Sequence, residues 1–258
     1  MDKIETYHFA VEPFHVDFTG RLFLGVLGNH LLNAAGHHSH NRGWGIDQLN
    51  KNHYTWVLSR LSIELTQMPE QYEHVEVETW VESVMKLFTE RNFLIRNADD
   101  GRIYGYARSI WAMIDLETRH PADLIALHDG DILRYVLTAD EKPCPIAKFG
   151  RIKPLMGADP VVIATHYSDV DINGHINSIK YIEHILDLFP REQYEKHRIR
   201  RFDIAYKTES YLGDDLAFFC EKTESEQHIE IRKHMGSAEK PAGEVVVQAK
   251  LLWESSAS

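Results

Sequence analysis

Residues 168–177 read S-D-V-D-I-N-G-H-I-N and form the densest polar cluster in the chain. A carboxylate, an amide and an imidazole stand there at alternate positions, as Asp171, Asn173 and His175. In an extended approach, alternate residues point the same way, so the three would converge on one pocket. An apolar helix follows, and a helix N-terminus favours negative charge developing nearby. As a pattern, the constellation is read as catalytic. Two plainer explanations compete. Asp169, Asp171, Asn173 and Gly174 match the start of a calcium loop, but its twelfth position is Lys180, whose charge repels a metal. A helix cap would use Asp or Asn to accept free backbone N–H groups, and Gly174 would permit a tight turn. A cap explains one or two of these residues and leaves the imidazole unexplained.

The elements that must hold this cluster come in two similar sets. Leu22, Val26, Leu27, Leu31, Leu32 and Ala35 fall at helical spacing in the first half. Ile179, Ile182, Ile185, Leu186 and Phe189 do so in the second, where Pro190 stops the helix. Alternating strands follow each helix: Leu61, Ile63 and Leu65, then Phe202, Ile204 and Tyr206, superpose with a displacement of 141 residues. VEVETWV, RNFLIRN and YARSIWAMI read as strands in the first half; LAFFCEK, HIEIRK and EVVVQAKLLW do so in the second. The last is apolar enough to lie centrally in a sheet. Residues 117–160 hold Pro121, Pro143, Pro145, Pro154 and Pro160 and read as a connector crossing the surface, with a short helical piece around LHDGDILRYVL. The expected organisation is a first unit over 1–116, the connector over 117–160 and a catalytic unit over 161–258. Its class is α+β, each unit an antiparallel sheet on a helix.

Composition narrows the function. At 43% hydrophobic residues and a net charge of −11, the chain is globular and ill-suited to nucleic acid, whose phosphates need dense Lys and Arg. It shows no uncharged apolar run of about 18 residues, no secretory signal and no transit peptide, so a cytoplasmic protein without membrane association is expected. Two cysteines, Cys144 and Cys220, give no disulfide framework; Cys220 reads as a small buried hydrophobe. His37, His38 and His40 form GHHSH just after the first helix, but without a second ligand pair they read as a solvated loop, and no metal is expected. Trp44, Trp56, Trp80 and Trp111 read as ordinary core. The patterns G-x-S-x-G, Walker A and G-x-G-x-x-G do not occur, which counts against an α/β-hydrolase, an NTPase and a dinucleotide enzyme.

The segment SDVDINGHINSIKYIEHIL resembles the acyl-acyl-carrier-protein thioesterases, whose hallmark is D-x-N-x-H-x-N-x-x-K-Y. YKTES, residues 206–210, resembles the family's Tyr-basic-x-Glu segment, and GWGIDQL with YTWVLSRLSIEL resembles its N-terminal unit. The resemblance implies a tandem pair of hot-dog folds, hydrolysis of fatty acyl-acyl carrier protein to free fatty acid, no cofactor, and Glu209 as a fourth site residue beside Asp171, Asn173 and His175. Many plant members carry Cys after the glutamate, where this chain has Ser210, so a thiol nucleophile is not expected. Either carboxylate would activate water or attack the carbonyl, Asn173 would orient, and His175 would polarise the carbonyl or protonate the leaving thiolate. Acyl-CoA hydrolysis, another hot-dog activity such as dehydration, and a silent acyl-binding module are the alternatives. H-x3-G-x4-P, frequent in dehydratases, does not occur.

Three further expectations follow. A displacement of 154 residues sets Asp17, Thr19, Gly20 and Arg21 on Asp171, Asn173, Gly174 and His175, and a displacement of 141 sets Met68 on Glu209. The first unit thus lacks acid–base groups and is left to shape the acyl pocket, with Leu27 and Leu31 as candidate lining residues. An acidic carrier protein needs a local basic face on this acidic chain. Residues 191–207 offer Arg191, Lys196, Arg198, Arg200, Arg201 and Lys207 against Glu192, Glu195 and Asp203, with Arg198, Arg200 and Arg201 as candidate contacts. A homodimer is compatible with this reading.

Overall fold

The computed structural model describes residues 2–155, 159–223, 226–237, 239 and 242–255. The chain divides into two units, Met1–Lys148 and Phe149–Ser258. The first contains β1 (Ile4–Ala10), α1 (Leu24–His40), the short α2 (Ile46–Leu49), β2 (Tyr54–Leu65), β3 (His74–Val84), β4 (Phe88–Asn97) and β5 (Ile103–Asp115). The second contains β6 (Val161–Ala164), α3 (Ser178–Leu186), α4 (Arg191–Lys196), β7 (His197–Tyr206), β8 (Asp215–Lys222), β9 (Glu226–Lys233) and β10 (Glu244–Ser255). Strand order is β1-β3-β4-β5-β2 in the first unit and β7-β10-β9-β8-β6 in the second. These are the same order read from opposite ends, and the pairs within each unit are antiparallel. β10 has a neighbour on each side, as its apolar sequence requires. Two α+β units, each a helix with an antiparallel sheet, make the tandem hot-dog architecture.

Each unit opens on an edge strand, β1 or β6, which the sequence pattern does not reveal. β6 has only four residues, and β1 shows no clean alternation of burial. Both lie at sheet edges, where one side of the ladder makes no demand on side-chain pattern. The helices hold the core. On α1, Leu24, Leu27, Leu31, Ala34 and Ala35 are buried, and full burial of each leucine stabilises by roughly 1.5–3 kcal/mol. α3 is shorter than its apolar pattern suggests, running from Ser178 to Leu186 with Ile179, Tyr181, Ile182 and Ile185 buried. Turns carry the chain on to Pro190, which precedes α4.

The expected connector is built into the units it joins. Leu124 N–H donates to the Lys86 carbonyl and Leu137 N–H to that of Val81, each at 2.8 Å. Leu124, Ile132 and Tyr135 complete a core cluster with Trp44, Leu49 and Met113. The helical piece is a 3-10 segment, Leu127–Tyr135, broken by left-handed backbone at His128, Asp129 and Gly130. Beyond Lys148, Leu155 packs with Ala217 and Phe219 of the second unit. Residues 156–158 of that stretch lie outside the described residues, as do 224, 225, 238, 240, 241 and 256–258 of the second unit. Among the described residues, no helix is long and apolar enough to cross a membrane.

Two other expectations are corrected. GHHSH is the last turn and a half of α1, not a loop. His38 is buried there: its Nδ1 accepts from the Arg91 guanidinium at 3.2 Å and its Nε2 lies 3.2 Å from the Lys3 carbonyl. Cys220 is exposed. It shares the strand face of Leu216 and Phe218 but lies beyond the last buried residue of β8, where the core has ended. Of the tryptophans, Trp44 and Trp80 are buried core, while Trp56 and Trp111 are half-buried.

Candidate active site

The cluster at 171–175 is a closed turn, so strand alternation does not arrange it. Val170 bridges Ile176, Asp171 N–H donates to the His175 carbonyl at 2.8 Å, and Gly174 N–H donates to the Asp171 carbonyl at 3.0 Å. Gly174 has φ +79°, a left-handed conformation that an L side chain would strain. The Asp171 Oδ1 atom accepts from Asn173 N–H at 2.8 Å and from His175 N–H at 3.2 Å. The carboxylate therefore ties the turn internally, as an Asx turn does. Ile172 and Asn173 form the exposed tip.

Downstream, the backbone brings Glu209 to this turn. His175 bridges Tyr211, and Ile176 N–H donates to the Ser210 carbonyl at 2.8 Å. His175 Nε2 then stands 3.5 Å from Glu209 Oε2, both side chains half-buried. Separation in sequence is no obstacle, because residues 207–208 continue β7 by bonding to the Val246 carbonyl. An imidazole and a carboxylate at this distance can pass protons to and from a water or a leaving group between them. Ser210 is fully buried, and its Oγ accepts from the Tyr181 hydroxyl at 2.8 Å. Burial holds the Tyr181 phenol up at about 12, so it stays a neutral donor linking α3 to the glutamate segment.

Several supporting residues were not singled out by pattern. Asp169 looked like a calcium ligand; it is instead buried, accepting from His166 N–H at 2.7 Å and meeting His184 Nε2 at 3.1 Å. It pins the turn's approach to α3. Asn177 caps that helix by accepting from Ile179 N–H at 2.9 Å. Tyr211 donates its hydroxyl to Glu209 Oε2 at 3.2 Å and sets its ring edge-on to His175, with 5.2 Å between centroids. Lys233, buried at the end of β9, donates from Nζ to the Glu209 carbonyl. The signal available for Tyr211 was its place two residues after Glu209, on the same side of an extended segment.

The first unit repeats the turn without the chemistry. Asp17 N–H donates to the Arg21 carbonyl at 2.8 Å, Gly20 N–H to the Asp17 carbonyl at 3.0 Å, and Thr19 N–H to Asp17 Oδ1 at 2.7 Å. Gly20 has φ +78°. Arg21 bridges Glu70 and Leu22 N–H donates to the Pro69 carbonyl at 2.9 Å, as His175 and Ile176 do with Tyr211 and Ser210.

The other candidates separate. Leu27 and Leu31 are fully buried on α1. Arg201 is buried on β7 against Asp203 at 3.0 Å and so is turned away from solvent. Arg198 and Arg200 remain partly exposed and flank Glu254, at 2.6 and 4.0 Å. Among the described residues, no group of three or more His, Cys, Asp or Glu is placed to hold a metal ion.

Comparison with known proteins agrees with this geometry. The family model described as acyl-ACP thioesterase N-terminal domain matches residues 3–126, and that of the C-terminal domain matches residues 161–255. The chain is 28% identical over 220 residues to a dodecanoyl-[acyl-carrier-protein] hydrolase of Cinnamomum camphora, covering 81% of this chain and 56% of that one. With the oleoyl-acyl carrier protein thioesterase of Coriandrum sativum it shares 23% identity, over 89% of this chain and 65% of the relative. The chain thus spans about three fifths of the length of the curated relatives it matches. Among solved structures, an acyl-ACP thioesterase from Bacteroides thetaiotaomicron is 56% identical, with a TM-score of 0.89 and 98% of each chain covered. The 12:0-ACP thioesterase from Umbellularia californica shares the fold at a TM-score of 0.82 and 20% identity, over 99% of each chain. The chain belongs to the acyl-ACP thioesterase family.

Proposed function

We propose that the protein hydrolyses the thioester of a fatty acyl-acyl carrier protein, releasing free fatty acid and ending chain elongation. The observation that carries this reading is the His175–Glu209 pair, 3.5 Å apart on a turn-and-strand frame, in a member of this family. The Glu209 carboxylate takes a proton from water as the oxygen attacks the thioester carbonyl. Collapse of the tetrahedral oxyanion breaks the C–S bond, His175 supplies the proton that the departing thiolate takes up, and the proton held by Glu209 passes back to His175 across their 3.5 Å separation. Asp171 keeps the turn closed and His175 in place, and Asn173 at its exposed tip orients the incoming thioester. No metal or cofactor enters these steps. Thiol release from acyl-carrier-protein and acyl-CoA substrates, followed in one assay, tests the reading. Preference for the carrier-protein substrate is expected; preference for the CoA ester would replace the proposed substrate, and release from neither would end the hydrolase reading.

The partner is an acidic carrier protein, met by Arg198 and Arg200. Each exposed pair contributes only about 0.2–1 kcal/mol, and salt screens it over ~8–10 Å. Reversing both to Glu sets three carboxylates side by side at Glu254, and KM for the carrier-protein substrate should rise about three- to tenfold. Turnover of a small acyl thioester should stay within a factor of about two. Equal losses on both substrates would instead assign these arginines to the fold.

Leu27 and Leu31 are proposed to wall the acyl chain from within the first unit. Leu31→Ala opens a space where no side-chain surface is exposed, and it should lengthen the preferred acyl chain while kcat on that best substrate changes little. A product profile identical to that of the wild type would remove these residues from the pocket.

A further inference from the structure

The duplication supplies an internal reference for deciding which residues serve the turn and which serve the reaction. Both copies tie the turn with an Asp carboxylate and a left-handed glycine. Both also close the later segment in the same way: Glu70 N–H donates to Glu73 Oε2 at 2.7 Å, and Tyr211 N–H donates to Asp214 Oδ2 at 2.9 Å. These features appear with and without acid–base groups nearby, so they belong to the fold. What differs is Arg21 against His175, Met68 against Glu209 and Glu70 against Tyr211. Sheet register adds a fourth difference. Ile95 faces Gly105 as Ile231 faces Val247, which sets Asn97 opposite Lys233 in the comparison. Asn97 bonds to Glu73 and Tyr104, whereas Lys233 reaches the Glu209 carbonyl.

Resting on the hydrolase reading above, we propose that Tyr211 is a positioning residue for Glu209, fixing its carboxylate beside His175, with Lys233 bracing Tyr211 from behind. The hydroxyl donates to Oε2, the same oxygen that lies 3.5 Å from His175 Nε2. The ring stands edge-on to the imidazole, and Lys233 Nζ lies 5.4 Å from the ring centroid on a cation–π approach. Lys233 also lies 4.0 Å from Asp214 Oδ2 and 3.9 Å from Glu244 Oε2, so its charge is matched where it is buried. A half-exposed glutamate with free rotamers would spend much of its time away from the imidazole. The phenol narrows that range. The Tyr211 contacts converge on 209 and 175, and the first unit has Glu70, Met68 and Arg21 in those three places.

The test is Tyr211→Phe, assayed on a small acyl thioester so that carrier docking plays no part. Loss of one hydrogen bond to a charged group is expected to lower kcat about tenfold, with KM within a factor of about two. A urea midpoint close to that of the wild type, measured on the same sample, shows that the exposed ring was not holding the fold. A kcat unchanged from the wild type would overturn the proposal, and so would a loss confined to KM, which would make Tyr211 a substrate contact. Wild-type thiol release in the same assay separates this failure from that of the hydrolase reading: if the wild type is active and Tyr211→Phe matches it, only the role of Tyr211 falls.

Discussion

Glu209→Ala should lose most of kcat, by ~10²–10⁴-fold, because water is a poor nucleophile without a placed base, and Asp171→Ala should lose most of it because the turn that places His175 comes undone. The two losses should differ in kind. Glu209 contributes a half-buried carboxylate, and its removal should leave the unfolding midpoint nearly unchanged. Asp171 accepts two N–H groups of its own turn, so its loss should also cost about 1 kcal/mol of stability, as loss of a side-chain cap does. Asp171→Asn keeps one acceptor oxygen for the turn and should fall between the wild type and Asp171→Ala. Steady-state turnover and urea unfolding on the same preparations decide the matter. If both alanine variants kept more than about half of wild-type turnover, the site assignment would be wrong. The Asp17→Ala variant measures the turn contribution apart from the reaction, since Asp17 likewise closes its turn by accepting twice, from Thr19 N–H and the Thr19 hydroxyl.

The sequence was a good guide to periodicity and a poor one to geometry. α1, α3 and the long strands follow from apolar spacing, because each buries a continuous face. β1 and β6 escaped because edge strands are held by one ladder and need no alternation. At the candidate site, Asp171, Asn173 and His175 stand out by residue type and spacing and Glu209 through the family resemblance, but the first three do not line up on an extended strand. A left-handed glycine closes a turn where an extended approach had been assumed, which leaves Asn173 at the tip. Lys233 lay beyond reach of pattern: it arrives at Glu209 through the pairing of β9 with β10, a contact between residues 24 positions apart.

A second large effect should appear on acidification. His38 lies among cations: Arg91 donates to its Nδ1, and Arg42, whose guanidinium binds the His38 carbonyl at 3.0 Å, adds a second charge. Its Nε2 lies 3.2 Å from the Lys3 carbonyl, and the Arg91 guanidinium also donates to the Ser39 hydroxyl and the Thr79 hydroxyl. Burial and these charges lower its pKa from 6.5 to about 2, and burial lowers that of His30 to about 4. Below pH 6.5 the unfolded chain binds protons that the folded one refuses, so stability is full above 6.5 and declines as pH falls. The slope should be up to about 1.4 kcal/mol per pH unit for His38, with a smaller share from the partly exposed His30 down to pH 4. Urea unfolding at pH 6.5 and 5, read by tryptophan fluorescence, measures it in the first unit, which holds Trp44, Trp56, Trp80 and Trp111. His38→Gln should flatten the slope. Equal slopes in variant and wild type would show that His38 is not the acid-sensitive group.

The buried Ser210 hydroxyl, held by Tyr181 beside the glutamate, has a consequence for handling and for physiology. An oxygen there cannot be alkylated by thiol reagents, oxidised to a sulfenic acid or trapped as a mixed disulfide. Burial pushes both thiols up, but Cys144 is enclosed whereas Cys220 sits at the exposed end of β8. Iodoacetamide or peroxide should therefore mark Cys220 while the proposed acyl release continues, so that release would not follow the redox poise of the surroundings.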